Sequence, residues 1–211
     1  IQLGENPNTV FNVGSLGVEN IKLTKFYKKS KLEKLLKLKF LKNNILVAYH
    51  PETKNRLESI KNFKILVESI KSLNDTLIIF TYPNNEPGYK KIISIIDKSH
   101  KFFTNSVVFK NLGQIYFFNL LKNVDCIVGN SSSGIIEAPS LNTYTLNIGD
   151  RQNGRIRAKS VIDSKANKND IKEKINYILK NSKNKINKNI SNPYEKNKTS
   201  EVIIKKILKL K

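Results

Sequence analysis

The sequence predicts an α/β fold in which a parallel sheet carries helices on both faces. Two observations lead there. From residue 44 onward, short β-branched runs alternate with longer stretches whose apolar residues recur every three or four positions. The short runs are apolar almost throughout, as strands covered on both faces are. Crossovers of this length are right-handed, so the expected product is a doubly wound, Rossmann-like domain.

Taken in order, residues 1–43 hold an apolar stretch, VFNVGSLGVENI, and then a basic helical segment, KKSKLEKLLKLKFLK at 28–42. A solvated helix face over a core is the expected role of that segment; a membrane-surface or partner helix is the other reading. Strands are expected at 44–49 (NILVAY), 76–82 (TLIIFTY), 106–109 (SVVF), 125–129 (DCIVG) and 143–148 (TYTLNI). A helix over 56–73 rests on Leu57, Ile60, Phe63, Leu66, Val67 and Ile70. The stretch 87–99 offers Ile92, Ile93, Ile95 and Ile96, and 113–123 offers Ile115, Phe118, Leu120 and Leu121. Residues 165–198 are rich in Lys and Asn, with one helix expected near 169–181. A closing amphipathic helix at 199–209 is built on Val202, Ile203, Ile207 and Leu208.

Composition bounds the function. At 39% hydrophobic residues the chain can bury a core. Its apolar runs are far shorter than the roughly 20 residues that span a bilayer, and its start lacks the pattern of a signal peptide. The single cysteine, Cys126, lies in a predicted strand; it excludes an internal disulfide and fits a reducing cytoplasm. There is no methionine, so the chain reads as a piece of something longer. The net charge of +21 points at face value to nucleic acid. Yet the excess is nearly all lysine, scattered among asparagine and isoleucine, and all three have A/T-rich codons. Arginine behaves differently: of four, three crowd into DRQNGRIR as Arg151, Arg155 and Arg157. Planar, fork-shaped donors suit bidentate contacts with anions.

Ligands of a doubly wound sheet bind beyond the carboxyl ends of its strands. His50-Pro51-Glu52-Thr53, Pro83 to Gly88, Asn130 to Gly134 and Gly149-Asp150-Arg151 all fall at such ends, so one shared cleft is expected. In GNSSSGIIEAPS (129–140), backbone N–H groups and the hydroxyls of Ser131, Ser132 and Ser133 can bind phosphate, and Glu137, inside the helix one turn on, can hold ribose hydroxyls. Together these suggest a nucleoside diphosphate. A plain serine N-cap with Glu137 on a solvated face is the competing reading. His50 at a strand end suits a phosphate donor or an acid/base, whereas His100 is expected at the surface. Glu52, Glu86, Asp150 and Asp163 form no evident acid/base pair. No cluster of His, Cys and carboxylates suggests a metal, and no cofactor is expected.

Taken together, VFNVGSLGVENI, YHPET, YPNNEPG, the span from DCIVGNSSSGIIEAP to LNIGDRQNGR, and NPYEKNKTSE resemble the UDP-N-acetylglucosamine 2-epimerase family. HPET resembles the hydrolysing, sialic-acid-pathway branch; the non-hydrolysing enzymes carry a His-Arg-Arg-Glu-Asn pattern there. The resemblance covers essentially the whole chain but only the second half of the family's protein. It implies the C-terminal, nucleotide-holding domain of a two-domain, glycosyltransferase-B-like enzyme, cytoplasmic and dimeric. Residues 1–43 would lead in from a missing N-terminal domain through a hinge at the VGS segment. Residues 44–164 would form the nucleotide-binding core, and 165–211 the closing helices.

The same resemblance implies residue roles. His50 and Asn84 would lie near the diphosphate, Ser131 and Ser132 would bind it, Glu137 would take the ribose and Arg151 would sit at the cleft edge. Lys110, Asn111 and Leu112, with Phe117 beyond, would wall the uracil. The implied reaction converts UDP-GlcNAc and water to N-acetylmannosamine and UDP. Two rivals remain: the donor domain of a nucleotide-sugar glycosyltransferase, and a basic nucleic-acid-binding module, which lacks the stacking strips expected of one.

Overall fold

A computed structural model describes residues 1–182 and 190–209. Six parallel strands form one sheet: β1 (Asn43–Ala48), β2 (Thr76–Thr81), β3 (Ser106–Phe109), β4 (Cys126–Gly129), β5 (Tyr144–Ile148) and β6 (Val161–Ser164). Their spatial order is β3-β2-β1-β4-β5-β6, the doubly wound arrangement. The register sets Ala48 beside Thr81 on one side and Gly129 on the other, so the ends of β1, β2 and β4 lie level.

The described residues form eight α-helices: α1 (Leu16–Leu23) and α2 (Lys29–Leu36) before the sheet, α3 (Arg56–Ile70), α4 (Tyr89–His100), α5 (Gly113–Asn123) and α6 (Ser132–Ile136) between its strands, and α7 (Lys168–Asn181) and α8 (Thr199–Leu208) after it. Alternate residues of each strand feed two cores. Ile45, Val47, Ile78, Phe80, Val128 and Leu146 meet Phe63, Leu66 and Ile70 of α3, Ile92 and Ile96 of α4, and Ile171, Ile175 and Ile178 of α7. On the opposite face, Leu46, Ala48, Ile79 and Ile127 meet Leu32 of α2 and Phe118, Leu120 and Leu121 of α5. Burying each such side chain contributes about 1.5–3 kcal/mol, which is why the apolar spacing in the sequence locates these elements.

The structure departs from expectation in several places. A sixth strand, β6, is present where none was expected, pairing Val161–Ser164 with Thr145–Ile148 at the sheet edge. The basic helix is short: Lys37 takes a left-handed conformation (φ 51°) and ends α2. Leu32 is fully buried there, so the segment covers the core as the first reading held. Helix α6 has five residues and ends before Glu137, which was expected inside it. Pro139 lacks an N–H and would clash with the carbonyl four residues back, so the chain tightens into a 3-10 turn at Ala138–Leu141. Glu137 is the hinge between the two. His100 is half-buried, its Nδ1 2.6 Å from Ser106 Oγ, rather than at the surface. Ile207 and Leu208 of α8 are more than half exposed. Part of the Lys/Asn-rich stretch expected over 165–198 lies outside the described residues.

The N-terminal segment is held by the C-terminal one. Ser15 N–H donates to Tyr194 O at 2.9 Å, Thr199 Oγ1 donates to Val13 O at 2.9 Å, and Ser200 N–H donates to Glu19 Oε2 at 3.0 Å. Among the described residues no helix is long and apolar enough to cross a membrane.

Candidate functional site

The order of strands reverses at β1, whose chain leaves toward β2 while β4 lies on its other side. A cleft of about 770 Å³ opens over the carboxyl ends at this point. Its shape follows from close backbone approach: Gly129 has φ 141°, and a Cβ there would overlap the carbonyl of Ala48. The next residue, Asn130, is fully buried and ties β4 to β1. Its Oδ1 accepts from His50 N–H at 2.7 Å, and its Nδ2 donates to His50 O at 2.8 Å.

His50 is thereby fixed at the end of β1, lining the cleft. Its Nδ1 accepts from Asn84 N–H at 3.3 Å, which places the proton of the neutral ring on Nε2 and leaves that N–H for a ligand. Burial, and then the positive charge of Arg151, lower the imidazole pKa below its ordinary value. A neutral donor is the form favoured.

Arg151 reaches the same place from the loop after β5. Its Nη1 donates to Asn130 O at 3.2 Å and its Nη2 to Glu86 Oε1 at 3.0 Å. Glu86 is therefore an orienting partner of the arginine, while its buried Oε2 has no partner among the described residues. Gln152, also buried, donates to Asn130 O at 2.8 Å. Two side chains thus converge on one carbonyl to hold the β4 end.

Ser131 caps α6, accepting from Ser133 N–H at 3.4 Å. This is the capping role that competed with phosphate binding, yet Ser131, Ser132 and Ser133 also line the cleft. The two roles coexist. In so short a helix the summed dipole is small, so hydroxyls, His50 and Arg151 supply most of the positive character. Gly134 lets α6 press onto β5, where Thr145 Oγ1 donates to Gly134 O at 2.6 Å.

Glu137, one turn after the serines, is half-buried and lines the cleft. Burial raises its carboxyl pKa, while the Ser133 hydroxyl and its own backbone N–H pull it back. Among the described residues its buried Oε2 has no hydrogen-bond partner. Such an atom suits a hydroxyl donor from a ligand. Cys126, by contrast, lies wholly buried in β4, where burial raises its thiol pKa.

At the far side, Lys110, Asn111 and Leu112 follow β3, and Phe117 lies on α5. Asn111 Oδ1 accepts from Gly113 N–H at 2.9 Å and shapes this loop. All ten residues given a role by the resemblance, and Ser133 with them, line the same cleft, drawn from five separate segments; Arg155 and Arg157 are not among its lining, and Arg157 pairs with Asp163 at 2.8 Å. Asn130, Glu86 and Gln152 were given no such role, although Asn130 and Glu86 lie in the strand-end loops expected to form the cleft. Asn130 stood beside the serine run and could have been found there; the Glu86–Arg151 pair spans 65 residues and had no local signal.

A family model described as UDP-N-acetylglucosamine 2-epimerase matches residues 1–208. The GDP/UDP-N,N'-diacetylbacillosamine 2-epimerase (hydrolyzing) of Campylobacter jejuni is 40% identical over 172 residues, covering 79% of this chain and 44% of that protein. The polysialic acid biosynthesis protein P7 of Escherichia coli is 38% identical over 203 residues, with coverages of 93% and 50%. The chain thus spans about half the length of these curated relatives. Among solved structures, the S. aureus MnaA–UDP co-structure superimposes with a TM-score of 0.75 at 21% identity, over 99% of this chain and 55% of that one. The Methanocaldococcus jannaschii UDP-GlcNAc 2-epimerase in complex with UDP-GlcNAc and UDP gives 0.72 at 22%, over 100% and 57%. At such identity the likeness concerns the fold.

Proposed function

This chain belongs to the UDP-N-acetylglucosamine 2-epimerase family, and we propose that it is the nucleotide-holding half of a hydrolysing UDP-sugar 2-epimerase. The observation that carries the reading is the convergence of five separate segments on one cleft at the strand-order reversal, with anion donors at β1 and β4 and an unpaired carboxylate oxygen nearby. Ser131, Ser132, His50 and Arg151 hold the diphosphate, with Asn84 beside them. Glu137 takes the ribose hydroxyls. Lys110, Asn111, Leu112 and Phe117 wall the base.

The proposed reaction starts from UDP-GlcNAc. A base removes the C2 proton as the C1–O bond breaks, releasing UDP and leaving a 2-acetamidoglucal. Water then adds across the double bond, its oxygen to C1 and a proton to C2 on the opposite face, giving N-acetylmannosamine. Elimination needs both a positioned base and a stabilised leaving group. The cleft described here serves the second need: donors aimed at the diphosphate are worth most as negative charge builds there. Among the described residues lining it, Glu137 is the one carboxylate, so the proton-shuttling acids are assigned to the remaining half of the enzyme. The exposed Ile204, Ile207 and Leu208 of α8 suit a further packed domain. A role in nonulosonic acid synthesis follows the polysialic acid biosynthesis protein among its relatives, and a cytoplasmic homodimer completes the proposal.

Calorimetric titration with UDP, GDP and phosphate tests it, with Glu137→Ala in parallel. Selective UDP binding that the variant loses is expected. GDP preference moves the substrate to a guanosine-linked sugar, and binding of phosphate alone with no nucleotide preference refutes the base wall. The 211-residue chain is expected to release no N-acetylmannosamine from UDP-GlcNAc; turnover above the Glu137→Ala background would sink the division of labour.

A further inference from the structure

Gly17 sits in the first turn of α1, where glycine has no conformational purpose: its backbone is helical, and an alanine would favour the helix by about 1 kcal/mol. What it provides is room. A Cβ built there would overlap Glu137 Oε1 and come within 3.3 Å of Glu137 Cδ and 3.4 Å of Ser15 Oγ. The carboxylate from the end of α6 thus lies directly against the bare face of Gly17. We propose that Gly17 is a positioning residue of the nucleotide site, setting the place of the Glu137 carboxylate and through it the affinity for ribose. The inference rests on the reading of Glu137 as the ribose ligand.

Both sides of this contact are fastened to the same piece of chain. Ser15 N–H donates to Tyr194 O at 2.9 Å on the α1 side. On the α6 side, the buried Asn192 donates through Nδ2 to Ile136 O at 2.8 Å and to Ser140 Oγ at 2.7 Å. Tyr194 N–H in turn donates to Asn192 Oδ1 at 3.0 Å. Neither backbone is free to recede from an added methyl group. The flexible element is the Glu137 side chain, whose end rotates away at little cost to the fold. A methyl at residue 17 therefore displaces the carboxylate and leaves the phosphate donors at Ser131, Ser132, His50 and Arg151 where they are.

The test is a titration of the parent chain, Gly17→Ala, Glu137→Ala and the double variant with UDP, 2′,3′-dideoxyuridine diphosphate and pyrophosphate, with melting curves for each. Gly17→Ala is expected to melt no lower than the parent and to lose about tenfold or more in UDP affinity, the worth of a hydrogen bond to a charged group. It should bind the dideoxy compound and pyrophosphate as the parent does. In the Glu137→Ala background it should have no further effect, because its action runs through that carboxylate. Unchanged UDP affinity, equal loss toward pyrophosphate, additivity with Glu137→Ala, or failure to fold each overturns the inference while the nucleotide reading stands. Absence of UDP binding by the parent chain overturns that reading itself, and the inference with it.

Discussion

Glu137 and His50 put opposite pH signatures into one cleft. The folded-state pKa of Glu137 is raised by burial, so the native state holds the proton more tightly than the unfolded chain does. Its contribution to stability is complete below the ordinary value of 4.5 and is lost as pH rises through the folded value. Glu137→Gln should therefore melt higher than the parent at pH 7, with the gap closing below about pH 4.5; a constant gap across pH would contradict it. His50 runs the other way. Its pKa is lowered, so the stability tied to its neutral ring is present above 6.5 and is lost as pH falls through the folded value. Asn130 has a purely structural consequence at the same place. Its amide satisfies both backbone groups of His50, so Asn130→Ala should lose about 2–4 kcal/mol in urea unfolding, two bonds plus the desolvation of what they leave unpaired. A loss below about 1 kcal/mol would mean that water replaces the amide without penalty.

At the level of elements, Asn119 does on α5 what Asn130 does at the sheet. It is fully buried on an otherwise apolar helix face, accepting from Tyr27 N–H at 2.7 Å and donating to Lys25 O at 3.0 Å. These bonds pin the link between α1 and α2 to the sheet-covering layer. Asn119→Leu keeps the branched shape but strands both backbone groups, so it should destabilise by about 2–3 kcal/mol and open residues 24–28 to proteolysis before the sheet unfolds; protease resistance equal to the parent would show the link to be held by packing alone. This bond partner lies 92 residues away, which is why no reading of the sequence reached it. What was legible had a local cause. Helix α3 showed itself through Ile60, Phe63, Leu66 and Ile70 because burial and helical period coincide there, whereas Leu57 fitted the same spacing and is exposed. The strand-end loops announced the cleft because topology alone brings them together. The edge strand β6 is four residues with Asp163 among them, too short and too polar to carry a pattern. The break after α6 was written in Pro139, but the 3-10 turn that follows depends on its packing against α5.

For the molecule as a whole, +21 must be reconciled with a site for a small, anionic nucleotide. The lysine is spread over the chain, and several of the aromatic rings are capped by it: Lys122 lies 4.1 Å from the centroid of the Phe26 ring, Lys29 4.7 Å from that of Phe40, and Lys31 5.2 Å from that of Tyr27. Aromatic faces capped by the chain's own lysines are not a platform for stacked bases. The charge therefore acts as a diffuse field that concentrates any polyanion, and such a field is screened over about 10 Å at 0.1 M salt. The donors in the cleft act at contact distance and are screened far less. UDP affinity should accordingly fall only a fewfold between about 0.05 and 0.2 M salt, whereas binding to a single-stranded RNA should fall by about a thousandfold or more over the same range, as counterion release dictates for many phosphate contacts. Filter binding for RNA and calorimetry for UDP in matched buffers measure both slopes. Equal slopes would mean that the nucleotide, too, is held by the general field and not by a built site. Tight RNA binding that survives at 0.2 M salt would give the nucleic-acid reading the contact set that the sequence and the cleft do not offer it.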